Sequence, residues 1–189
     1  MNIDKNKIQS LDDLNTAAHI YFVGIAGISM CGLAEISHHL GYTVSGSDPR
    51  RSLQTLKLEE LGIRVFNQQV AENITKTKPD LLVYSLAIPE DNEELLEANS
   101  LGIPHMNRAE YLGLITKSYK SVINIAGTHG KTTTTAMCSM ILIASGANPT
   151  VHLGADLDEF DSGTVHLGDT SNLMVSEACE YKNALLSFY

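Results

Sequence analysis

The sequence predicts an α/β protein built from two consecutive units with parallel sheets, the second of them incomplete. Short apolar runs alternate with helical stretches from His19 onward, and this alternation restarts after residue 117. Two glycine-rich loops, at residues 24–32 and 127–133, each lie between an apolar run and a helix. Strands that alternate with helices form crossover units, and crossover units give a parallel sheet.

The first unit is expected to span residues 1–116. Its apolar runs predict strands at 19–23, 42–48, 63–66 and 80–85, and helices are predicted at 28–40, 52–62, 90–102 and 108–116. In the first of these helices, Leu33, Ile36 and Leu40 recur on one face. Ligands of parallel sheets bind beyond the carboxyl ends of the strands, so the loops at 24–32, 45–48 and 85–89 are the candidate binding loops.

The second unit is expected to span residues 117–189. The polar segment 117–122 is interpreted as a linker, followed by a strand at 122–127, a helix at 131–145 and a strand at 171–178. Residues 117–189 are too few for a complete P-loop α/β domain, so we expect only the first part of such a domain.

Composition and charge exclude several classes of protein. There are 13 basic and 22 acidic residues, a net charge of −9, which disfavours nucleic acid as the main partner because phosphate backbones need clustered Lys and Arg. The three cysteines lack metal-ligand spacing, and scattered thiols suit a reducing compartment. No signal peptide and no membrane-spanning run is predicted. We therefore expect a cytoplasmic protein without a membrane partner; the oligomeric state is not indicated.

The first glycine loop only partly matches a dinucleotide-binding fingerprint. That fingerprint needs G-x-G-x-x-G between a strand and a helix, and here Ala26 and Ser29 stand where the second and third glycines belong. Asp48 lies 24 residues after Gly24, near where an acidic residue would meet a ribose. Three interpretations stay open: a dinucleotide site, a tight turn that only serves packing, and a different nucleotide whose diphosphate lies on the helix N-terminus.

The second glycine loop, "AGTHGKTTTT", predicts a site for the phosphates of ATP. A full phosphate-binding loop reads G-x-x-x-x-G-K-[ST], and Ile125 stands where its first glycine belongs. The "GKT" core is intact between a strand and a helix. It supplies backbone N–H groups, a lysine (Lys131) for the outer phosphates and a hydroxyl (Thr132) for Mg²⁺. Glu177, at the end of the run "LMVSE", is the candidate carboxylate for the same ion, since Mg²⁺ prefers oxygen ligands.

Six stretches of the chain together resemble the Mur ligases, the ATP-dependent enzymes that build the peptide stem of bacterial peptidoglycan. They are "FVGIAGISMCGLAEI", "VSGSD", "YSLAIPEDNEEL", "GIPHMNRAEYL", "AGTHGKTTTTAM" and "SEACEY". The missing first glycine of the second loop is normal in this family. The resemblance implies a Rossmann-like UDP-sugar-binding domain followed by an incomplete P-loop α/β domain that binds ATP. Within the family the stretches are most similar to members that join L-alanine to UDP-N-acetylmuramate through an acyl phosphate, with Mg²⁺.

The resemblance also implies roles for particular residues. UDP-sugar binding falls to Gly24, Ile25, Ala26, Gly27, Ile28, Ser29, Asp48, Ser85, Leu86, Ala87 and Ile88. ATP binding falls to Gly127, Thr128, His129, Gly130, Lys131, Thr132 and Thr133. Lys131 and His129 are expected to act in catalysis, and Thr132 and Glu177 to hold the metal ion.

Two departures from the family limit what the chain is expected to do. Cys179 stands where the family has an aspartate, and the later parts of the ligase, including the domain that binds the amino acid, are not in the sequence. We expect the 189-residue chain to bind ligand without catalysing ligation. Two alternatives remain: the related ligase that attaches a recycled tripeptide to the same sugar nucleotide, and a non-catalytic UDP-sugar-binding module.

Overall fold

Five parallel strands form the first sheet, in the order β3-β2-β1-β4-β5. The computed structural model describes residues 8–15, 17–157, 160, 163–168 and 172–177. The strands are β1 (His19–Val23), β2 (Thr43–Ser47), β3 (Arg64–Phe66), β4 (Leu81–Tyr84) and β5 (His105–Asn107). All four strand pairs are parallel, which confirms the predicted α/β class.

Helices cover both faces of this sheet. They are α1 (Ile28–His39), α2 (Leu53–Glu60), α3 (Ala71–Thr77), α4 (Glu93–Ser100) and α5 (Arg108–Thr116), preceded by a short 3-10 helix (Leu11–Asp13). Side chains alternate across a strand, so Ile20 and Phe22 join the core beneath α1, α2 and α5, whereas Tyr21 and Val23 join the core beneath α3 and α4. A strand buried on both faces must be apolar throughout, which is why β1 reads as one continuous run.

A buried carboxylate ties the strands to the helices on one face of the sheet. The Glu94 carboxylate, on α4, accepts hydrogen bonds from the Tyr21 hydroxyl (2.6 Å), the Ser47 hydroxyl (2.5 Å) and the Asn73 amide (2.7 Å). Burial raises the pKa of Glu94, and the three donors oppose that rise. These bonds join β1, β2, α3 and α4, and they fulfil the requirement that a buried polar group have partners.

The second sheet has four strands in the order β6-β9-β7-β8. They are β6 (Ser121–Ile125), β7 (Thr150–His152), β8 (Val165–His166) and β9 (Leu173–Glu177), and α6 (Lys131–Ala144) follows β6. β6, β9 and β7 are parallel, and β8 is antiparallel to β7. None of the helices within the described residues is long and apolar enough to cross a lipid bilayer.

Besides the short 3-10 helix, four elements were not predicted from the sequence, and one segment was interpreted wrongly. β5, β7 and β8 have two or three residues each, too few for a periodic pattern, and α3 is mostly polar. The segment at 117–122 is not a free linker. The Tyr119 side chain is buried in the core that contains α1 and α5, and β6 already begins at Ser121.

A glycine in α1 allows the second sheet to pack closely against the first unit. A Cβ placed on Gly32 would lie 2.7 Å from Val165 Cγ2 and 3.1 Å from His152 Cδ2. Val165 and Met174, from the second sheet, belong to the same buried cluster as Phe22 and Leu33. The packing between the two sheets is therefore continuous. The division at residues 116 and 117 into two domains stays a prediction.

Replacing Gly32 tests whether this close contact or helix propensity decides stability. Alanine in place of a helical glycine normally stabilises by up to about 1 kcal/mol. At Gly32 the new methyl group meets Val165 Cγ2 at 2.7 Å, and overpacking of this kind costs roughly 1–3 kcal/mol. We therefore expect Gly32→Ala to lower the free energy of unfolding, measured by urea denaturation.

The matched control is Gly41→Ala, at the end of α1. A Cβ there meets nothing within 4 Å, and its φ of +94° leaves backbone strain as the cost, about 1 kcal/mol. A Gly32→Ala variant as stable as the wild type, or more stable, would contradict the close approach of β8 to α1.

Candidate functional site

The first glycine loop lies at the carboxyl end of β1 and is held by the end of β2. The N–H groups of Gly24 and Ile25 both donate to the Ser47 carbonyl, at 2.8 and 3.1 Å. Gly24 has φ +80°, a conformation that other residues rarely adopt. A Cβ on Gly24 would also lie 3.3 Å from Ile88 Cδ1, so glycine lets the loop after β4 pack against this one.

Only part of this loop is accessible to a ligand. Ile25 is wholly buried and its N–H donates to Ser47, whereas Ala26 is 8% exposed and its N–H donates to Asp48. Little of either residue is available to a ligand, and their contacts with a diphosphate stay predictions. Gly27 and Ser29 are half-buried, and Ile28 is exposed. α1 begins after Gly27, which has no side chain to cap the helix, so the N–H groups of the first turn lack a side-chain cap.

Asp48 has a structural role at the end of β2. Its carboxylate is 4% exposed and accepts hydrogen bonds from the Ala26 N–H (3.2 Å) and the Arg50 N–H (3.0 Å). It thereby fastens the glycine loop to β2. Asp48 also borders a cavity of about 230 Å³ with Arg50, Arg51 and Thr55, and the contact of Asp48 with a uridine stays a prediction.

The loop after β4 completes this edge of the first sheet. The Ser85 carbonyl accepts from the Ile88 N–H (2.9 Å), and the Ser85 hydroxyl accepts from the Ala87 N–H (3.3 Å). Leu86 and Ala87 are exposed. The structure thus brings the predicted loops at 24–29 and 85–88 together, because parallel strands end at the same edge.

The second glycine loop connects β6 to α6, and both of its glycines have positive φ. Gly127 and Gly130 have φ of +153° and +76°, and α6 begins at Lys131 without a side-chain cap. The Lys131 ammonium donates to the Gly127 carbonyl and so closes over the loop. Of the other predicted residues, Thr128, His129 and Thr133 are exposed, and Thr132 is half-buried. These positions leave the loop open to a ligand.

Glu177 lies beside this loop and has an unused oxygen. β6 and β9 pair so that Ile125 is opposite Glu177, at the strand end where the loop begins. Glu177 Oε1 is buried and has no hydrogen-bond partner among the described residues. An orphaned carboxylate oxygen fits a hard cation, which needs few protein ligands when phosphates supply the rest. Within the described residues no group of three or more His, Cys, Asp or Glu side chains could hold a metal; Cys179 lies outside them.

The two glycine loops lie at one shared edge. β6, β9 and β7 are adjacent and parallel, so Ile125, Glu177 and His152 mark the same ends of three neighbouring strands. Neighbouring strands are about 4.8 Å apart, which puts the start of the second loop roughly 10 Å from His152. The His152 ring Nε2 lies 3.1 Å from both the hydroxyl and the carbonyl of Ser29, in the first loop.

His152 and Arg108 were not predicted as site residues. His152 is 1% exposed, and burial lowers its pKa to about 4, helped by the nearby Arg108 charge. The Arg108 Nη1 donates to the Ser29 hydroxyl at 2.8 Å. Both residues lie on or directly after short strands, β7 and β5, that carry no periodic signal. The only available indication was that Arg108 lies in "GIPHMNRAEYL", one of the stretches that resemble the Mur ligases.

Comparison with known proteins identifies the family. Residues 19–120, more than half of the chain, match the family described as "Mur ligase family, catalytic domain". The chain belongs to the Mur ligase family. This Mur ligase chain is 48% identical, over 95% of its length, to the UDP-N-acetylmuramate–L-alanine ligase of Acetivibrio thermocellus, and 49% identical, over 93%, to that of Agathobacter rectalis. It spans 38% of the length of each of these relatives.

Solved structures show the same fold. The UDP-N-acetylmuramate-alanine ligase of Thermotoga maritima superimposes with a TM-score of 0.77 at 33% identity, over 85% of this chain and 37% of that one. The UDP-N-acetylmuramate:L-alanyl-gamma-D-glutamyl-meso-diaminopimelate ligase of Neisseria meningitides gives 0.80 at 30% identity, over 88% of this chain and 54% of that one. The predicted Rossmann-like fold of the first unit is consistent with both.

Burial of His152 predicts a loss of stability at mildly acidic pH. The unfolded chain binds a proton at this ring below pH 6.5, and the folded chain does so only near its pKa of about 4. Between these values the unfolded state holds more protons, so stability falls as pH falls, by roughly 3 kcal/mol in all. Urea denaturation at steps from pH 7 to pH 4 measures the effect.

His152→Gln is expected to flatten this slope. His39→Gln, at the exposed last residue of α1, is the control and is expected to keep the wild-type slope. An unchanged slope in His152→Gln would contradict the neutral, buried state of this ring.

Proposed function

We propose that this chain is the sugar-nucleotide- and ATP-binding part of a ligase that joins L-alanine to UDP-N-acetylmuramate. The observation that carries the proposal is the meeting of the two glycine loops at one edge, linked by the contact between Ser29 and His152. One ligand can then lie on the α1 loop and the other on the α6 loop, with their phosphates facing the same gap.

The first loop would hold the diphosphate of the UDP-sugar. The free N–H groups at the start of α1 favour an anion. Ala26 and Ser29 stand where a dinucleotide-binding fingerprint has its second and third glycines, which supports a sugar nucleotide over NAD. The loop at 85–88 and the cavity beside Asp48 lie at the same strand ends, and we propose that the uridine lies among them.

The second loop would hold ATP with Mg²⁺. Residues 127–133 supply backbone donors, Lys131 exchanges its carbonyl contact for phosphate oxygens, and Thr132 and Glu177 hold the metal ion. The ion supplies charge neutralisation for the transferring phosphoryl group. His129, exposed in the loop, is proposed to lie near that group.

The proposed reaction uses ATP to create a leaving group. A carboxylate is anionic and resists attack by an amine. Transfer of the γ-phosphoryl group to the lactyl carboxylate gives an acyl phosphate and ADP. The L-alanine amine then attacks the acyl carbon, phosphate leaves and the amine loses a proton, which yields the amide. Lys131 would stabilise the negative charge on the transferring oxygens, where most of the catalysis lies.

The choice of L-alanine is supported by the relatives that bear that name at 48–49% identity. The tripeptide ligase of Neisseria meningitides has a TM-score of 0.80, close to that of the Thermotoga maritima ligase, but its sequence identity of 30% is lower than that of the L-alanine ligases. In the alternative function a peptide would take the place of L-alanine, and the reaction would be the same.

Ligand-induced shifts in melting temperature test the two proposed sites. A ligand that binds only the folded state, at 100 times its dissociation constant, adds about 2.7 kcal/mol. For a chain of this size that raises the melting temperature by roughly 5–10 °C. We expect such a shift with UDP-N-acetylmuramate and none with NADH; a shift with NADH alone would contradict the sugar-nucleotide assignment.

A lysine substitution separates the two sites. Lys131→Met is expected to remove the shift caused by Mg-ATP, because the outer phosphates lose their cation, and to keep the shift caused by UDP-N-acetylmuramate. Lys120→Met, at the exposed residue directly before β6 and so at the opposite end of that strand from the loop, is the control for loss of a positive charge. An unchanged Mg-ATP shift in Lys131→Met would exclude ATP from the second loop.

A further inference from the structure

Arg108 is a cation at the edge that the two glycine loops share. Its guanidinium donates to the Ser29 hydroxyl at 2.8 Å and is half-buried. Among the described residues no carboxylate forms an ion pair with it, although acidic residues outnumber basic ones in the chain. A guanidinium carries five N–H donors, and one contact with a hydroxyl leaves most of them available.

The surroundings of Arg108 add positive potential. Arg108 is the first residue of α5, the end of a helix at which a cation is disfavoured. Its side chain reaches Ser29, in the first turn of α1, where the uncapped N–H groups carry positive charge as well. A cation between two helix N-termini is costly unless an anion joins it.

The two helix starts are not equivalent. The Asn107 side chain already accepts hydrogen bonds from the Ala109 and Glu110 N–H groups of α5, at 2.9 and 3.1 Å. The start of α1 has no such cap. An anion at this place therefore finds its backbone donors on α1 and its charged side chain on α5.

A third group closes the site from the second sheet. His152 is 1% exposed, its Nε2 lies 3.1 Å from the Ser29 hydroxyl, and its Nδ1 has no hydrogen-bond partner among the described residues. An Nε2–H that donates to the Ser29 carbonyl at 3.1 Å leaves the Ser29 hydroxyl proton free for an outside acceptor. Because burial lowers the pKa of His152 to about 4, the ring is uncharged at pH 7 and does not neutralise the charge of Arg108.

We propose that Arg108 is a binding residue for a phosphate group of the nucleotide held at the first glycine loop, with the Ser29 hydroxyl and the α1 backbone as its partners. The inference rests on the proposed function in taking the ligand to be a nucleoside diphosphate sugar. It adds a residue from α5 to a site otherwise formed by the loops after β1, β2 and β4.

Binding of four ligands to Arg108 variants, measured by isothermal titration calorimetry on the 189-residue chain, tests the proposal. The ligands are UDP-N-acetylmuramate, UDP, uridine and Mg-ATP. Arg108→Gln keeps an N–H donor for Ser29 and removes the charge. We expect it to weaken UDP-N-acetylmuramate and UDP by roughly 10- to 100-fold, as for a lost charged hydrogen bond, with uridine and Mg-ATP unchanged.

Two further variants define the cause. Arg108→Lys retains the charge and is expected to recover part of the lost affinity for UDP. Lys76→Gln removes one positive charge from an exposed i,i+4 pair with Glu72 and is expected to leave all affinities within about twofold.

The possible results separate this inference from the proposed function. Unchanged UDP affinity in Arg108→Gln, or an equal loss for uridine, would overturn the role of Arg108. A loss confined to Mg-ATP would assign Arg108 to the ATP phosphates and also overturn it. If the wild type binds UDP as tightly as UDP-N-acetylmuramate, the sugar assignment fails, whereas a selective loss of UDP binding in Arg108→Gln still supports the phosphate site. A wild type that binds neither UDP ligand would contradict both.

Discussion

The close contact between α1 and the second sheet is the constraint on which the candidate site depends. Gly32 lacks the side chain that would collide with Val165, so β8 and β7 can lie directly on α1. That approach puts His152 against Ser29, at the start of the same helix. One helix thus supplies both the packing surface for the second sheet and the backbone donors of the first loop. Because protein interiors are densely packed and resist deformation, a helix fixed at Gly32 also fixes the loop that precedes it.

Parallel strand topology explains why the two loops face each other. Each sheet delivers its loops at the carboxyl ends of its strands. In the first sheet these are the loops after β1, β2 and β4, and in the second the loop after β6 and the carboxylate that ends β9. The contact between His152 and Ser29 brings these two edges together. The chemistry proposed for the site needs this arrangement, since a phosphoryl group would pass directly between two bound ligands, each held by its own loop.

Positive charge and hydrogen-bond donors predominate at the edge that the two loops share. The chain is acidic overall, yet the start of α1, Arg108 and Lys131 together present donors and cations to the shared edge. Asp48, the acidic residue predicted at the first loop, is occupied by backbone N–H groups and lies buried. Glu177 is the exception, with an oxygen that has no partner among the described residues. Such a distribution of charge favours anionic ligands and one hard cation.

The sequence by itself determined the α/β class, most helices and strands of the first unit, and both glycine loops, because each depends on local chemistry. Apolar runs, glycine at positive φ and the "GKT" core are readable without knowing what packs where. Tertiary structure decided the rest. β5, β7 and β8 exist through pairing with longer neighbours, so their few residues carry no signal, and Tyr119 is buried by elements far from it in sequence. The positions of Arg108 and His152 depend on those short strands. Their meeting at Ser29 joins residues 79 and 123 positions apart, a contact that only the folded packing of the two sheets creates.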